Sequence, residues 1–327
     1  MDHTCRPCIN QALYWKTPTR AANSHAFTKF HLIHINSLAA NPVIPFHGLT
    51  GVRKFMYRDT TKTMASMAVA KFNYLKQNPL GFSISTMMAG AYVGIGIILI
   101  LTIGNDADPL SRNLIMGSLF GITLTLIVFA GAELFSGHTM FMAFGYLYKK
   151  LTVFQVIYDW VACWSGNLIG AMLLGLLFTL GGGGGWLDNP ESLVHSIALH
   201  KVDSTITELV ARAVICNWLI CLAIWMTLRT KSDTAKCILI FWCLFAFVAA
   251  GFEHGVANMT VFTISLMGAH ADEVTLTSAW YNLIWVSLGN IIGGAGFIGV
   301  AYFLTGTPEH LSQQGNDDPE GAETPNT

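Results

Sequence analysis

Between Cys237 and Gly268 the chain runs for 32 residues with only two acidic or basic side chains, Glu253 and His254, which are adjacent. A single upright membrane helix needs about 20 apolar residues, so this run is too long for one. It is too short for two helices and a turn. One crossing made of two half-helices with an irregular middle remains. Gly251 and Gly255 supply backbone freedom at the break. Irregular backbone at membrane depth persists only where it is buried in protein or lines a water-filled cavity. An ionisable pair placed there points to function.

The wider composition agrees. Of 327 residues, 53% are hydrophobic and 11% charged, against about 25% charged in a soluble domain. The chain therefore reads as a multi-pass membrane protein. Ten of its 18 Lys and Arg residues precede Gln77, which gives it a basic N-terminal arm. The net charge of -1 identifies no partner, because the basic residues are local, and no nucleic-acid partner is expected. Cys163, Cys216, Cys221, Cys237 and Cys243 lie in apolar runs, where cysteine acts as a small apolar residue. Cys5 and Cys8 form a CxxC without a second pair or a strand–helix context, so no zinc or redox role is assigned to them.

Residues 1–55 contain one acid, Asp2, and no sustained period. No apolar segment follows their basic residues, so they are not a signal peptide. They read as disordered, or as an extension upstream of a start at Met56. Residues 56–78 form a cytoplasmic amphipathic helix. Its periodic part runs from Asp59 to Gln77, with Met64, Ala68, Phe72 and Leu75 on one face, and Asn78-Pro79 ends it. Residues 79–305 form the transmembrane domain. Residues 306–327 form an acidic tail, rich in Gly and Pro and expected to be disordered.

Six crossings are expected, at about 80–104, 113–144, 153–180, 206–228, 237–268 and 279–304. The second resembles the fifth. It is a long apolar run whose single charged residue is Glu133, and its middle reads AGAELFSGHTM. Gly131 and Gly137 flank the expected break, and Ser136 is the expected N-cap of the second half-helix. Lysines and arginines concentrate in the arm and in the loops after crossings two and four, which places both termini in the cytoplasm. An internal repeat supports the layout. Ala130–Glu133 (AGAE) matches Ala250–Glu253 (AGFE), and Gly166–Gly170 (GNLIG) matches Gly289–Gly293 (GNIIG). Three crossings per copy is an odd number, so the two copies are inverted, an arrangement typical of transporters with a midplane site.

Glu133 and Glu253 occupy equivalent repeat positions. Either they line a pathway or they accept the N–H groups freed at their own helix breaks. The second reading is preferred, because two acids would repel an anion; a cation pathway would reverse that preference. His254, the sole histidine of crossing five, suits proton exchange with a substrate, since imidazole titrates near neutrality. His138 carries the weaker case. His195, His200 and His270 are expected in solvated outer loops. Half-helices starting at Ser136 and Gly255 would aim positive dipole ends at the midplane, which favours an anion, and Lys201 in an outer loop adds to that. Phe120, Leu124, Leu134 and Phe247 lie in the broken crossings and would make apolar constrictions if they face the pathway. Gly181–Gly185 is a flexible outer loop and not a phosphate cradle, because no Lys-Ser/Thr follows.

The stretches GAELFSGHTM, CNWLICLAIWM, GFEHGVANMT and GNIIGG resemble the motifs of the formate/nitrite transporter family, over about Met56 to Thr305. The resemblance implies an all-α membrane protein of six transmembrane helices in two inverted three-helix repeats, with an aquaporin-like protomer whose second and fifth helices are broken. It implies a homopentamer in the bacterial inner membrane with one pore per protomer. It implies a substrate pathway with His254 at its centre, a hydroxyl from Ser136 where the family usually has threonine, Lys201 in the outer vestibule, and Asn217, Glu253 and Asn258 around the breaks. The constrictions would be Phe120, Leu124, Leu134 and Phe247. Residues 1–55 have no counterpart.

The function expected is a nitrite transporter or channel that uses protons and no cofactor. Its partners are the anion, membrane lipid and copies of itself. Formate or hydrosulfide is the alternative substrate, since the pore chemistry does not separate small weak-acid anions. A membrane enzyme such as a haem protein is the competing class. It is disfavoured because only His138 and His254 lie in the membrane, at non-equivalent repeat positions.

Overall fold

A computed structural model describes residues 48–306. The expectations for residues 1–47, including the Cys5–Cys8 pair, and for the tail beyond Gly306 lie outside the described residues. The compact unit that begins at Thr50 contains helices and no strand among its described residues.

Helix α1 (Gly48–Gln77) starts before Asp59, and residues 48–55 belong to it and not to a structureless extension. No proline interrupts 48–77, so nothing in the chain stops the helix from extending backward. Met64, Ala68, Phe72 and Leu75 are all buried, as one stripe against the helical core. Asn78 ends α1 and caps α2 (Pro79–Asn105). Its side chain accepts from Gly81 N, and Pro79 sits at the first helical position, where its missing N–H costs nothing.

The second apolar run forms α3 (Arg112–Phe120) and α4 (Ile122–Ala130), then breaks and resumes as α5 (Phe135–Leu147). α6 (Val153–Leu180) opens with a reciprocal cap between Thr152 and Gln155. A loop follows in which Gly182, Gly183, Gly184 and Gly185 all have positive φ, and α7 (Leu193–Asp203) lies beyond it. α8 (Ile206–Thr227) opens with the same kind of cap, from Thr205 and Glu208. The fifth apolar run forms α9 (Asp233–Ala249), breaks, and resumes as α10 (Gly255–Leu266). α11 (Leu276–Ile291) continues through a π-helical stretch (Ile292–Val300) into α12 (Ala301–Gly306). Among the described residues, five spans are long and apolar enough to cross a membrane: Pro79–Asn105, Arg112–Ala130, Val153–Leu180, Ile206–Thr227 and Leu276–Thr305. α10 is apolar but shorter.

Two helix pairs are pressed together at backbone distance. A Cβ on Gly90 of α2 would fall 2.0 Å from the Asn167 carbonyl oxygen of α6. A Cβ on Gly293 would fall 2.3 Å from the Val214 carbonyl oxygen of α8. Small residues permit such approaches between membrane helices. Gly296, three residues further on, borders open space instead.

Candidate functional site

The two breaks are built alike. α4 ends at Gly131 (φ 77°) and α9 ends just before Gly251 (φ 71°), both in the left-handed region that favours glycine. The chain then extends, and the residues preceding the resumed helices, Leu134 and His254, are both in β conformation. Ser136 therefore does not cap α5; it lies one residue inside it, and Leu134 holds the cap position. Gly137 lies within α5 and not at the break.

At each break the first N–H of the resumed helix goes to an asparagine of another helix, not to the glutamate. Asn167 Oδ1 accepts from Phe135 N at 2.8 Å, while Asn167 Nδ2 donates to the carbonyl oxygens of Glu133 and Thr86. Asn290 repeats the pattern. Its Oδ1 accepts from Gly255 N at 3.0 Å, and its Nδ2 donates to the carbonyl oxygens of Glu253 and Ala213. Both asparagines are fully buried. Their signal in the sequence was the GNLIG/GNIIG repeat, which marks equivalent positions without saying what they bond.

The two carboxylates are consequently free to take cations. Lys201 Nζ lies 2.7 Å from Glu253 Oε2, and Asn258 Nδ2 donates to the same oxygen at 2.6 Å and to Asn282 Oδ1 at 2.8 Å. Lys71 of α1 pairs with Glu133 Oε2, and His138 Nε2 lies 2.7 Å from that same oxygen. His138 Nδ1 lies 2.6 Å from Asp159 Oδ2. Lys201 is thus in helix α7 with its charge partnered, and is not a lone loop cation. His195 is also not solvated. It is buried in α7, with its two ring nitrogens against Ser265 Oγ and the Leu187 carbonyl oxygen. The packing of α7 on α10 makes that burial, and the local sequence around His195 carries no trace of it.

His254 and Ser136 meet across the molecule, with Nε2 to Oγ at 2.6 Å. Both are buried. His254 Nδ1 is buried with no hydrogen-bond partner among the described residues. Asn217 holds the loop beneath Ser136. Its Nδ2 donates to the Ser136 carbonyl oxygen at 3.3 Å, to Thr139 Oγ1 at 2.9 Å and to the Asn290 carbonyl oxygen at 2.5 Å.

Two chambers with no lining residue in common lie around His254 and the breaks. One, of about 380 Å³, is bordered by Lys201, Glu253, His254 and Asn258. The other, of about 240 Å³, is bordered by Lys71, Glu133 and His138. Between them lies a space of about 10 Å³, bordered by Phe120, Leu124, Leu134, Phe247 and His254. Phe120, Phe247 and His254 also border the first chamber, and Leu124 and Leu134 also border the second. The neck has room for about one water. The Phe120 and Phe247 rings meet edge to face at 5.3 Å, and the Phe247 ring lies 6.1 Å from the His254 ring. Val93, Thr123, Ile127, Ile220 and Leu244 complete the neck. They carried no signal in the sequence, where they are ordinary residues of apolar helices.

Two chambers, each with a lysine–glutamate pair in its lining, joined by an apolar neck inside a helical, multi-pass membrane protein define a transporter or channel. The chain belongs to the formate/nitrite transporter family, which residues 58–304 match. It is 47% identical over 254 residues to the nitrite transporter NirC of Salmonella typhimurium, covering 78% of this chain and 93% of that one. A solved structure of an FNT family ion channel superposes with a TM-score of 0.74 at 48% identity, covering 76% of this chain and 99% of the other. A solved pentameric formate channel with formate bound superposes with a TM-score of 0.59 at 26% identity, covering 68% and 96%.

Proposed function

We propose that this protein carries small monovalent weak-acid anions, nitrite first, across the bacterial inner membrane, with one path through each protomer of a homopentamer. The observation that carries this reading is His254. It is a titratable group at the apolar neck, tied to Ser136 on one ring nitrogen and unpartnered on the other. An ion entering the neck must shed most of its hydration, and a bare charge in apolar surroundings is costly. A weak-acid anion escapes that cost by taking a proton. The residues preceding both resumed helices, Leu134 and His254, border the neck, so the positive ends of α5 and α10 face it and favour an electron-rich oxygen there. His254 then shares a proton with the anion while it is in the neck and takes that proton back as the substrate leaves as the anion.

Six crossings in two inverted repeats follow from the same reading. α9, the break and α10 supply one crossing, as do α3, α4, the break and α5. The hydrogen-bond pattern shared by the two breaks supports the repeat. Both termini face the cytoplasm, so the chamber bordered by Lys71 opens inward. Nitrite takes precedence over formate because the 47% identity is to a nitrite transporter, whereas the formate-bound neighbour shares 26%. The protein works as a transporter and not as an enzyme. Uptake of nitrite, formate and chloride into liposomes, with and without a pH gradient, tests the reading. Nitrite and formate are expected to enter faster when the outside is acidic, with chloride lagging. Equal chloride uptake would overturn it.

A further inference from the structure

The two halves of the molecule hold their buried glutamates with different chemistry. In the half that contains Glu253, one amide nitrogen, Asn258 Nδ2, reaches both the glutamate and Asn282. In the half that contains Glu133, the corresponding positions are His138 and Asp159. Each lies at the same sequence offset, five residues after the glutamate and eight before the capping asparagine. A neutral pair in one half is therefore a titratable pair in the other.

The proton inventory is specific. Both ring nitrogens of His138 lie against carboxylate oxygens, at 2.6 and 2.7 Å. Each contact holds together only with a hydrogen in it. With both hydrogens present the cluster contains two cations, Lys71 and His138, and two anions, Glu133 and Asp159, and sums to zero. Loss of one proton leaves an imidazole lone pair facing a carboxylate and gives the cluster a net charge of -1. The way out is visible in the burial. Asp159 is fully buried and the His138 side chain is 1% exposed, whereas Glu133 and Lys71 are 14% and 19% exposed and border the chamber. The other groups that face His138 or the backbone beside it do not offset the change. Phe82 of α2 presents a ring edge, Trp160 of α6 donates to the His138 carbonyl oxygen, Cys163 of α6 donates to the Glu133 carbonyl oxygen, and Cys221 of α8 donates to the Ser136 carbonyl oxygen.

We infer that His138 is a second proton-exchanging histidine of this protein, which sets the charge of the Lys71–Glu133 chamber through Glu133 and so controls anion entry from that side. This rests on the transport reading above and extends it. Protonated, the chamber is neutral and admits an anion to Lys71. Deprotonated, it carries an uncompensated carboxylate within reach of the neck and repels the anion. The chamber on the other side has Asn258 and Asn282 in the matching places and lacks this exchange, although His200 and His254 also border it. The two faces of the path would then differ in pH sensitivity although their backbones are alike.

The test uses the double variant His138→Asn/Asp159→Asn, which copies the Asn–Asn pair of the other half and leaves no buried anion without a partner. Nitrite flux in liposomes is measured from pH 5 to 9 for wild type, His254→Asn and the double variant. His254→Asn is expected to retain a fall in flux of about fivefold toward high pH, and the double variant is expected to lose that component. A double variant with the wild-type pH profile would overturn the inference. Histidine ¹⁵N spectra of the full-length protein in nanodiscs decide it independently of transport. The His138 signals, identified by their change in Asp159→Asn and their loss in the double variant, should pass from a doubly to a singly protonated ring over the range where flux falls. A ring whose protonation is constant from pH 5 to 9 would overturn the inference even if nitrite flux is normal. A wild type that passes no anion would instead overturn the transport reading, while the spectra still decide whether His138 exchanges its proton.

Discussion

His254 Nε2 and the Ser136 hydroxyl lie 2.6 Å apart, although 118 residues separate them in the chain. The contact joins the two broken segments at the neck. It engages Nε2 and leaves Nδ1 without a hydrogen-bond partner among the described residues. Ser136→Ala removes the bond and frees the ring. One hydrogen bond contributes about 1 kcal/mol net, so nitrite flux is expected to fall by about fivefold. Ser136→Thr keeps the hydroxyl and is expected to stay near wild type. Equal loss in both variants would show that the site needs the serine's small size and not its hydroxyl.

His254→Asn retains a side-chain N–H donor and removes titration. Its nitrite flux is expected to lose the pH dependence that His254 supplies, and chloride is expected to gain relative to nitrite, because the neck no longer selects for an anion that accepts a proton. The measurement is nitrite and chloride flux in liposomes across pH 5 to 8. An unchanged nitrite-to-chloride ratio would reduce His254 to a packing residue.

Lys201 is paired with Glu253 and is not a free cation facing solvent. Lys201→Ala leaves a buried carboxylate held only by Asn258, which costs more than the loss of an attractive surface charge. Flux is therefore expected to fall at all ionic strengths, and Lys201→Ala/Glu253→Gln is expected to recover part of it. Salt titration of nitrite uptake separates the two cases. A loss confined to low salt, with no recovery in the double variant, would mean that Lys201 acts only by long-range attraction.

Asn290→Ala leaves Gly255 N–H and the carbonyl oxygens of Glu253 and Ala213 without their partner. Unsatisfied buried groups cost about 1–3 kcal/mol each. Thermal unfolding of the purified protein in detergent is expected to shift down by at least about 6 °C, at about 2–4 °C per kcal/mol. Asn167→Ala is expected to do the same through Phe135 N–H and the carbonyl oxygens of Glu133 and Thr86. A melting temperature within a degree of wild type in either variant would show that water replaces the amide.

The sequence by itself determined that the chain is a membrane protein with two interrupted apolar runs, because 32 residues with one ionisable cluster and flanking glycines fit neither one straight helix nor two. It placed His254 at a break, and it placed Phe120, Leu124, Leu134 and Phe247 in the segments that form the neck, because both facts follow from position along a run. The amphipathic stripe of α1 was legible from its period. Only the tertiary structure decided what each polar group bonds. Ser136 turns to His254 and does not cap its helix, Lys201 joins Glu253, His195 is buried, and the first N–H groups of the resumed helices go to Asn167 and Asn290 and not to the glutamates. These partners lie tens to more than a hundred residues apart. Their meeting depends on how α2, α6, α8 and α11 pack around the two breaks, and local spacing constrains backbone conformation but not which distant side chain fills a given hydrogen bond.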